Sequence, residues 1–228
     1  MGNLSGYDSY TGNYGVMTDV YLEIGPKKVF ACAHDWPGWC RIGKGEEDAL
    51  ENLARYVPRY RVIAERAGLP FDPDAFAVVE RARGGTTTDF GAIEAIPELD
   101  SRPVDAATAE RDVALLRAAW EIFGEVVAGS PEELRKGPRG GGRDRDKMTS
   151  HVVEAERAYA RKIGVRHRPF PLGDLAARDA MRQEITAVLG VPSDGSPPAP
   201  GGWPPRYTAR RMAWHVIDHL WEMEDRRD

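Results

Sequence analysis

The sequence predicts an α+β protein in which a small βα module is followed by an up-and-down type four-helix bundle. Short runs rich in β-branched and aromatic residues occupy the first third of the chain. After residue 105, apolar residues recur at every third or fourth position in several segments, which is typical of amphipathic helices. Stretches rich in glycine and proline separate these segments and mark turns and loops.

Composition narrows the classes of function. The chain has 228 residues and a net charge of -5, which disfavours a nucleic-acid partner and an anionic membrane surface. We find no apolar run of membrane-spanning length, so no membrane partner is predicted. The two cysteines, Cys32 and Cys40, are too few for a disulfide framework and are predicted to be buried in strands. A cytoplasmic location is therefore expected.

The first elements follow one another closely. Residues 1–18 are rich in Gly, Asn, Ser and Tyr and are predicted to be a disordered extension. Residues 20–24 and 29–33 are strand-like, and Gly, Pro and two lysines between them supply a turn. This pattern predicts a β-hairpin.

An aromatic turn and a helix come next. Pro37 and Gly38 form a tight turn between Trp36 and Trp39, whose rings we expect to pack there; the open alternative is an exposed recognition patch. A helix is predicted over residues 45–67, with three acidic residues in its first turn. Pro58 lies inside the helical pattern and predicts a kink or break. Residues 76–80 return as a strand.

One local pattern resembles the HicB-like antitoxin family. It consists of Asp35-Trp36-Pro37-Gly38, then Gly43, then the helical stretch Ala49-Leu50-Glu51-Asn52-Leu53. The resemblance covers about residues 19–83. It implies a small module that pairs as a homodimer or caps a protein partner.

The rest of the chain is predicted to be mostly helical. Residues 84–104 have the composition of a linker, although residues 86–89 also suit a short strand. The segment 105–228 contains the predicted helices, with Pro/Gly-rich connections between them. The predicted helices span 105–128, 144–163, 172–189 and 206–226.

The last helix carries a candidate metal site. His215 and His219 are four residues apart, so they lie one turn apart on the same side of the helix and can reach one ion. A catalytic ion usually needs three protein ligands. His151, near the start of another helix and beside its apolar stripe, is the third candidate, with His34 and His167 in reserve.

One helical histidine followed later by a helical His-x-x-x-His pair resembles the DinB-like family of four-helix metalloproteins. The resemblance covers about residues 105–226. It implies that His151, His215 and His219 bind a divalent ion, zinc or nickel in the first place. It further implies thiol transfer or isomerisation on a small molecule, with a low-molecular-weight thiol as a further cofactor. The chain departs from the family where Leu220-Trp221-Glu222 replaces the usual glycine.

Further residues are candidates for substrate binding and for orienting the ligands. Arg139, Arg143 and Arg145 lie in a glycine-broken basic loop that could clamp a carboxylate or phosphate; the alternative is a solvated loop. Glu154 and Glu222 could each hydrogen-bond a ligand histidine, or could simply face solvent. No catalytic residue is assigned.

Two classes of function remain open at this point. The first is a metal-dependent transferase, isomerase or hydrolase that acts on a small molecule. The alternative is a non-catalytic interaction protein that uses its HicB-like module to bind a protein partner. Nucleic-acid binding through the basic loop ranks third, because the chain is acidic overall.

Overall fold

The α+β class is confirmed by the structure, a computed structural model that describes residues 16–137 and 141–227. Those residues contain one four-stranded sheet and seven α-helices, together with two short 3-10 turns. The strands are β1 (Val16–Ile24), β2 (Val29–Ala33), β3 (Cys40–Gly43) and β4 (Pro73–Arg83). The helices are α1 (Glu46–Arg55), α2 (Val57–Arg66), α3 (Thr86–Asp89), α4 (Ala106–Ala128), α5 (Arg145–Ala160), α6 (Leu175–Leu189) and α7 (Pro205–Arg226).

The sheet has the order β3-β2-β1-β4. β1 and β2 form the predicted antiparallel hairpin, and β4 returns parallel to β1 on the other side. β1 begins at Val16, so residues 16–18 belong to the sheet and not to the extension predicted at 1–18. Residues 1–15 of that extension lie outside the described residues. Cys32 and Cys40 face each other across β2 and β3, and both are free and buried, as expected.

Pro58 breaks the first long helix where the sequence indicates. α1 ends at Arg55, and α2 starts at Val57 with the proline in its first turn, where the missing N–H costs no helical hydrogen bond. The break lets α2 pack against α4 while α1 remains on the sheet. The turn tryptophans are packing residues: Trp39 is fully buried and stacks on the Tyr60 ring at 5.6 Å.

The Pro-Gly turn sits directly on α7. Gly38 has φ +89°, and a Cβ there would lie 2.4 Å from Cδ1 of Ile217 and 2.9 Å from the backbone carbonyl carbon of Ala213. Only glycine tolerates both the left-handed backbone and the close approach. The turn therefore fixes the small sheet against the helix that carries the histidine pair.

Residues 84–104 are not an unstructured linker. They contain α3 and a 3-10 turn at Glu98–Ser101, and they wrap around the end of β1. Buried Glu23 accepts hydrogen bonds from the Thr88 hydroxyl at 2.7 Å and from the backbone N–H groups of Glu94 and Ala95 at 3.0 Å. The short strand considered at residues 86–89 is a helix instead.

The main hydrophobic core joins the sheet to the helices, and its members include Val20 of β1, Ile63 of α2, Leu116 of α4, Met148 of α5 and Met212 of α7. A smaller cluster contains Trp214 of α7 and residues of the sheet. α7 contacts α4, α5 and α6, so it is the central helix of the second half of the chain. None of the described helices combines the length and the low charge needed to cross a lipid bilayer.

Candidate metal centre

α7 presents His215 and His219 toward α5 on consecutive turns. Their ring centroids are 4.7 Å apart. The residues are only 7% and 8% exposed, respectively, because the same helix packs against the core along most of its length. The histidines thus occupy the border between the apolar interior and the surface, as the sequence pattern indicates.

α5 brings His151 to the same point. Its Nε2 atom lies 3.2 Å from Nε2 of His215, and its ring centroid is 4.9 Å from that of His219. One ligand nitrogen from each of the three histidines lies within 4.8 Å of the others. Two nitrogens bound to one tetrahedral zinc stand about 3.3 Å apart, so the three rings are close enough to share an ion. The predicted convergence of the histidines is confirmed.

Glu222 sets the orientation of His219. The Nδ1 atom of His219 is 2.9 Å from Oε2 of Glu222, and Nη1 of Arg226 donates to the other carboxylate oxygen at 2.6 Å. The hydrogen bond from His219, joined by that from Arg226, lowers the pKa of Glu222, which therefore accepts as a carboxylate. A proton held on Nδ1 leaves the Nε2 lone pair of His219 free for a metal ion.

Burial keeps two of the rings neutral. It is the main cause that lowers the pKa of His215 to about 2, and the neighbouring His219 and His151 act in the same direction. Burial also lowers the pKa of His151, with help from the positive charge of Arg143. Neutral imidazoles have free lone pairs at pH 7, which is the state that binds metal.

An open cavity of about 420 Å³ adjoins His151. Its wall carries charges of both signs, and Glu154 forms part of it rather than hydrogen-bonding any of the three histidines within the described residues. The cavity is lined by Arg143, Asp146, Lys147, Ser150, His151 and Glu154. A small polar molecule can therefore reach the edge of the histidine cluster.

The basic loop contributes one of its three candidate arginines to this wall. Arg143 lines the cavity, whereas Arg139 lies outside the described residues. Arg145 is engaged elsewhere: its Nε donates to Asp146 at 2.8 Å and its Nη1 to the carbonyl oxygen of Ser130 at 3.1 Å. Arg145 therefore ties the start of α5 to the end of α4, and its role in substrate binding stays a prediction.

The two reserve histidines are far from this chemistry. His34 is buried near Asp100, with 3.7 Å between Nε2 and Oδ1, and burial is the main cause that lowers its pKa to about 3. Nε2 of His167 lies 3.1 Å from Oε1 of Glu184. Neither belongs to the cluster that the described residues form around His151.

Sequence reasoning missed the residues around His215. Arg211 has the charge of a solvent-facing residue, yet its guanidinium lies over the rings of Tyr159 and Trp214. Tyr159 and Trp214 both border the ring of His215, at 5.8 and 6.0 Å between centroids. The signal was the four-residue spacing from Arg211 to His215 to His219, which puts all three on one stripe.

Comparisons of the chain with known protein families, with curated proteins and with solved structures find no match.

Proposed function

We propose that this protein is a divalent-metal-dependent enzyme that acts on a small molecule, with zinc or nickel as the ion and a DinB-like bundle as its scaffold. The observation that carries the proposal is the approach of three histidine nitrogens to within 4.8 Å of one another, from two helices. Chance surface histidines do not combine such convergence with a carboxylate that orients one ring at 2.9 Å.

The donor set favours catalysis over a purely structural role. Structural zinc sites are closed by four protein ligands, whereas catalytic sites use three and keep one position open. Only three candidate ligands come together here within the described residues. Furthermore, His151 faces an open cavity, so a substrate has a route to the remaining position.

Residues of this chain would bind the ion and orient one of its ligands. His151, His215 and His219 would hold the ion, and Glu222 would keep the proton of His219 on the nitrogen that faces away from it. A bound divalent ion supplies Lewis-acid polarisation and lowers the pKa of a coordinated thiol or water. Arg143 and Lys147 stand beside Asp146 and Glu154 in the cavity wall, so the wall suits a small polar substrate. A thiol-linked transferase, an isomerase and a hydrolase all suit this arrangement.

Metal analysis of protein purified without a histidine tag tests the proposal. We expect about one divalent ion per chain in the wild type, and almost none when His215 and His219 are both replaced by Ala. His167→Ala is the matched control, because this histidine contacts Glu184 outside the cluster and its loss should leave the metal content unchanged.

Thermal unfolding of the wild type before and after removal of its ion by a chelator separates a functional site from a structural one. An unchanged Tm supports a functional site, whereas a large fall in Tm indicates that the ion mainly stabilises the fold. A wild type free of metal, or a double variant with undiminished metal, rejects the proposal.

A further inference from the structure

On one side of α7, next to the histidine cluster, three buried nitrogen atoms have no hydrogen-bond partner among the described residues. Nη1 of Arg211, Nε1 of Trp214 and Nδ1 of His215 are all buried, and none finds a partner in the part of the chain that the structure describes. The three residues are spaced i, i+3 and i+4, so they share one side of the helix. A buried donor without an acceptor costs about 1–3 kcal/mol, which makes three neighbouring ones unusual.

Aromatic rings hold the guanidinium of Arg211 in place. Its carbon Cζ lies 4.4 Å from the ring centroid of Trp214 and 5.2 Å from that of Tyr159. Both rings also border His215. The guanidinium of Arg211 and the ring of His215, a candidate metal ligand, therefore contact the same two aromatic rings. These rings leave Nη1 of Arg211 free to donate a hydrogen bond.

The local charges do not balance. Among the described residues, no carboxylate forms an ion pair with Arg211. The nearest acid to the histidines, Glu222, already pairs with Arg226 at 2.6 Å. Glu154, another acid nearby, lines the cavity together with Arg143 and Lys147. Three neutral imidazoles with a divalent ion would add two further positive charges.

We propose that Arg211 is the specificity-determining residue of an oxyanion subsite, which binds the carboxylate or phosphate group of the small-molecule substrate beside the metal centre. The inference rests on the proposed function and adds the chemical class of the substrate. Arginine suits this task because its planar fork donates several hydrogen bonds to one oxyanion and stacks on aromatic rings.

Anion binding to the full-length, cobalt(II)-loaded protein tests the subsite. Cobalt(II) is the chosen ion because its absorption spectrum shows whether the histidine site is intact and whether a ligand has bound. The probes are acetate and inorganic phosphate, with acetamide as the neutral counterpart of acetate. We expect an oxyanion to bind and acetamide not to bind; the tighter of acetate and phosphate identifies the substrate's anionic group.

Replacement of Arg211 gives the decisive comparison. Arg211→Met and Arg211→Gln should each weaken oxyanion binding about tenfold or more, since a charge-assisted hydrogen bond is lost. Arg211→Lys, which keeps the charge, should lose less. Arg227→Met is the matched control, because this exposed arginine follows the last turn of the same helix and should leave affinity unchanged.

The outcomes separate the two proposals. If wild-type protein takes up no cobalt, the metal site fails, and the subsite fails with it. If Arg211→Met and Arg211→Gln keep the cobalt spectrum and bind the oxyanion as tightly as the wild type, only the subsite is overturned. Equal binding of acetamide and acetate overturns it as well.

Discussion

Each candidate ligand has a different local environment. His215 is the most buried, and burial lowers its pKa to about 2; His151 lies at the cavity, and His219 is hydrogen-bonded to Glu222. Within the part of the chain that the structure describes, His219 alone of the three has a carboxylate partner, so its orientation depends on one side chain. The metal affinity of the cluster should therefore be sensitive to that partner.

Replacement of Glu222 by Ala should weaken zinc binding about 10- to 100-fold, because the ring of His219 loses the group that fixes its tautomer and direction. A competition titration against a chromophoric chelator measures this change. Glu224→Ala is the matched control, since Glu224 pairs with Arg59 at 2.7 Å on another face of α7. Wild-type affinity in Glu222→Ala would show that Glu222 plays no part in the site.

Asp112 is a buried carboxyl outside the metal centre whose titration should affect stability. Burial raises its pKa from 3.8 to about 7, although the positive charges of Arg206 and Arg111 partly oppose the rise. In the unfolded chain this group ionises above about pH 4. Between pH 4 and 7 the folded state holds a proton that the unfolded state has released. The contribution of Asp112 to stability is thus present at low pH and lost as the pH rises toward 7.

We therefore predict that Asp112→Asn gains stability relative to the wild type as the pH increases from 4 to 8, by on the order of 2–4 kcal/mol in total. Urea unfolding across this range measures the difference, and the comparison cancels the opposite contribution of His34. A constant difference between the two proteins at all pH values would show that Asp112 titrates normally in the fold.

At the scale of elements, α7 connects the histidine pair to the sheet through the Pro-Gly turn. Gly38 contacts the helix between Ala213 and Ile217, on the side opposite to His215. The position of the candidate metal ligands therefore depends on a turn that is distant from them in sequence. This contact gives a direct test of how tightly the sheet and the helix fit together.

Gly38→Ala should destabilise the fold by about 2–4 kcal/mol, because the new methyl group meets backbone atoms of α7 and the positive φ strains any L-residue. Gly68→Ala is the matched control: Gly68 has φ +72°, but nothing lies within 4 Å of its added Cβ. The control should lose only the conformational part, about 1 kcal/mol. Equal losses in chemical unfolding would mean that the close approach carries no energy.

Several elements could be predicted because their signals are local. The apolar stripe of α4, the break at Pro58 and the hairpin all follow from spacing or from one restrictive residue. The start of β1 and the order in residues 84–104 were missed. Thr88, Glu94 and Ala95 are held there by the buried carboxylate of Glu23, a partner far away in sequence that composition does not reveal.

The candidate site also has a part that could be predicted from the sequence and a part that could not. The pairing of His215 with His219 is a matter of helical spacing, whereas the role of Arg211 depends on rings supplied by another helix and by Trp214. A long arginine can lie along apolar surface while its helix position looks polar. The contacts of Arg145 with Asp146 and Ser130 are likewise not revealed by its place in a basic loop.

At the scale of the whole molecule, the sheet and the helices share one core. α5 and α7 bring the three histidines together, and both helices contribute to that core. If the proposed ion binds there, a cluster held by packed helices loses little conformational entropy on binding.

Anomalous diffraction from crystals of the zinc-loaded protein tests the metal centre most directly. We predict a single strong peak at the zinc edge, bounded by nitrogen atoms of His151, His215 and His219 at about 2.0–2.1 Å. Glu222 should remain hydrogen-bonded to His219. A peak elsewhere on the chain, or zinc-loaded crystals in which the three rings bind no ion, would contradict the assignment of this cluster as a metal site.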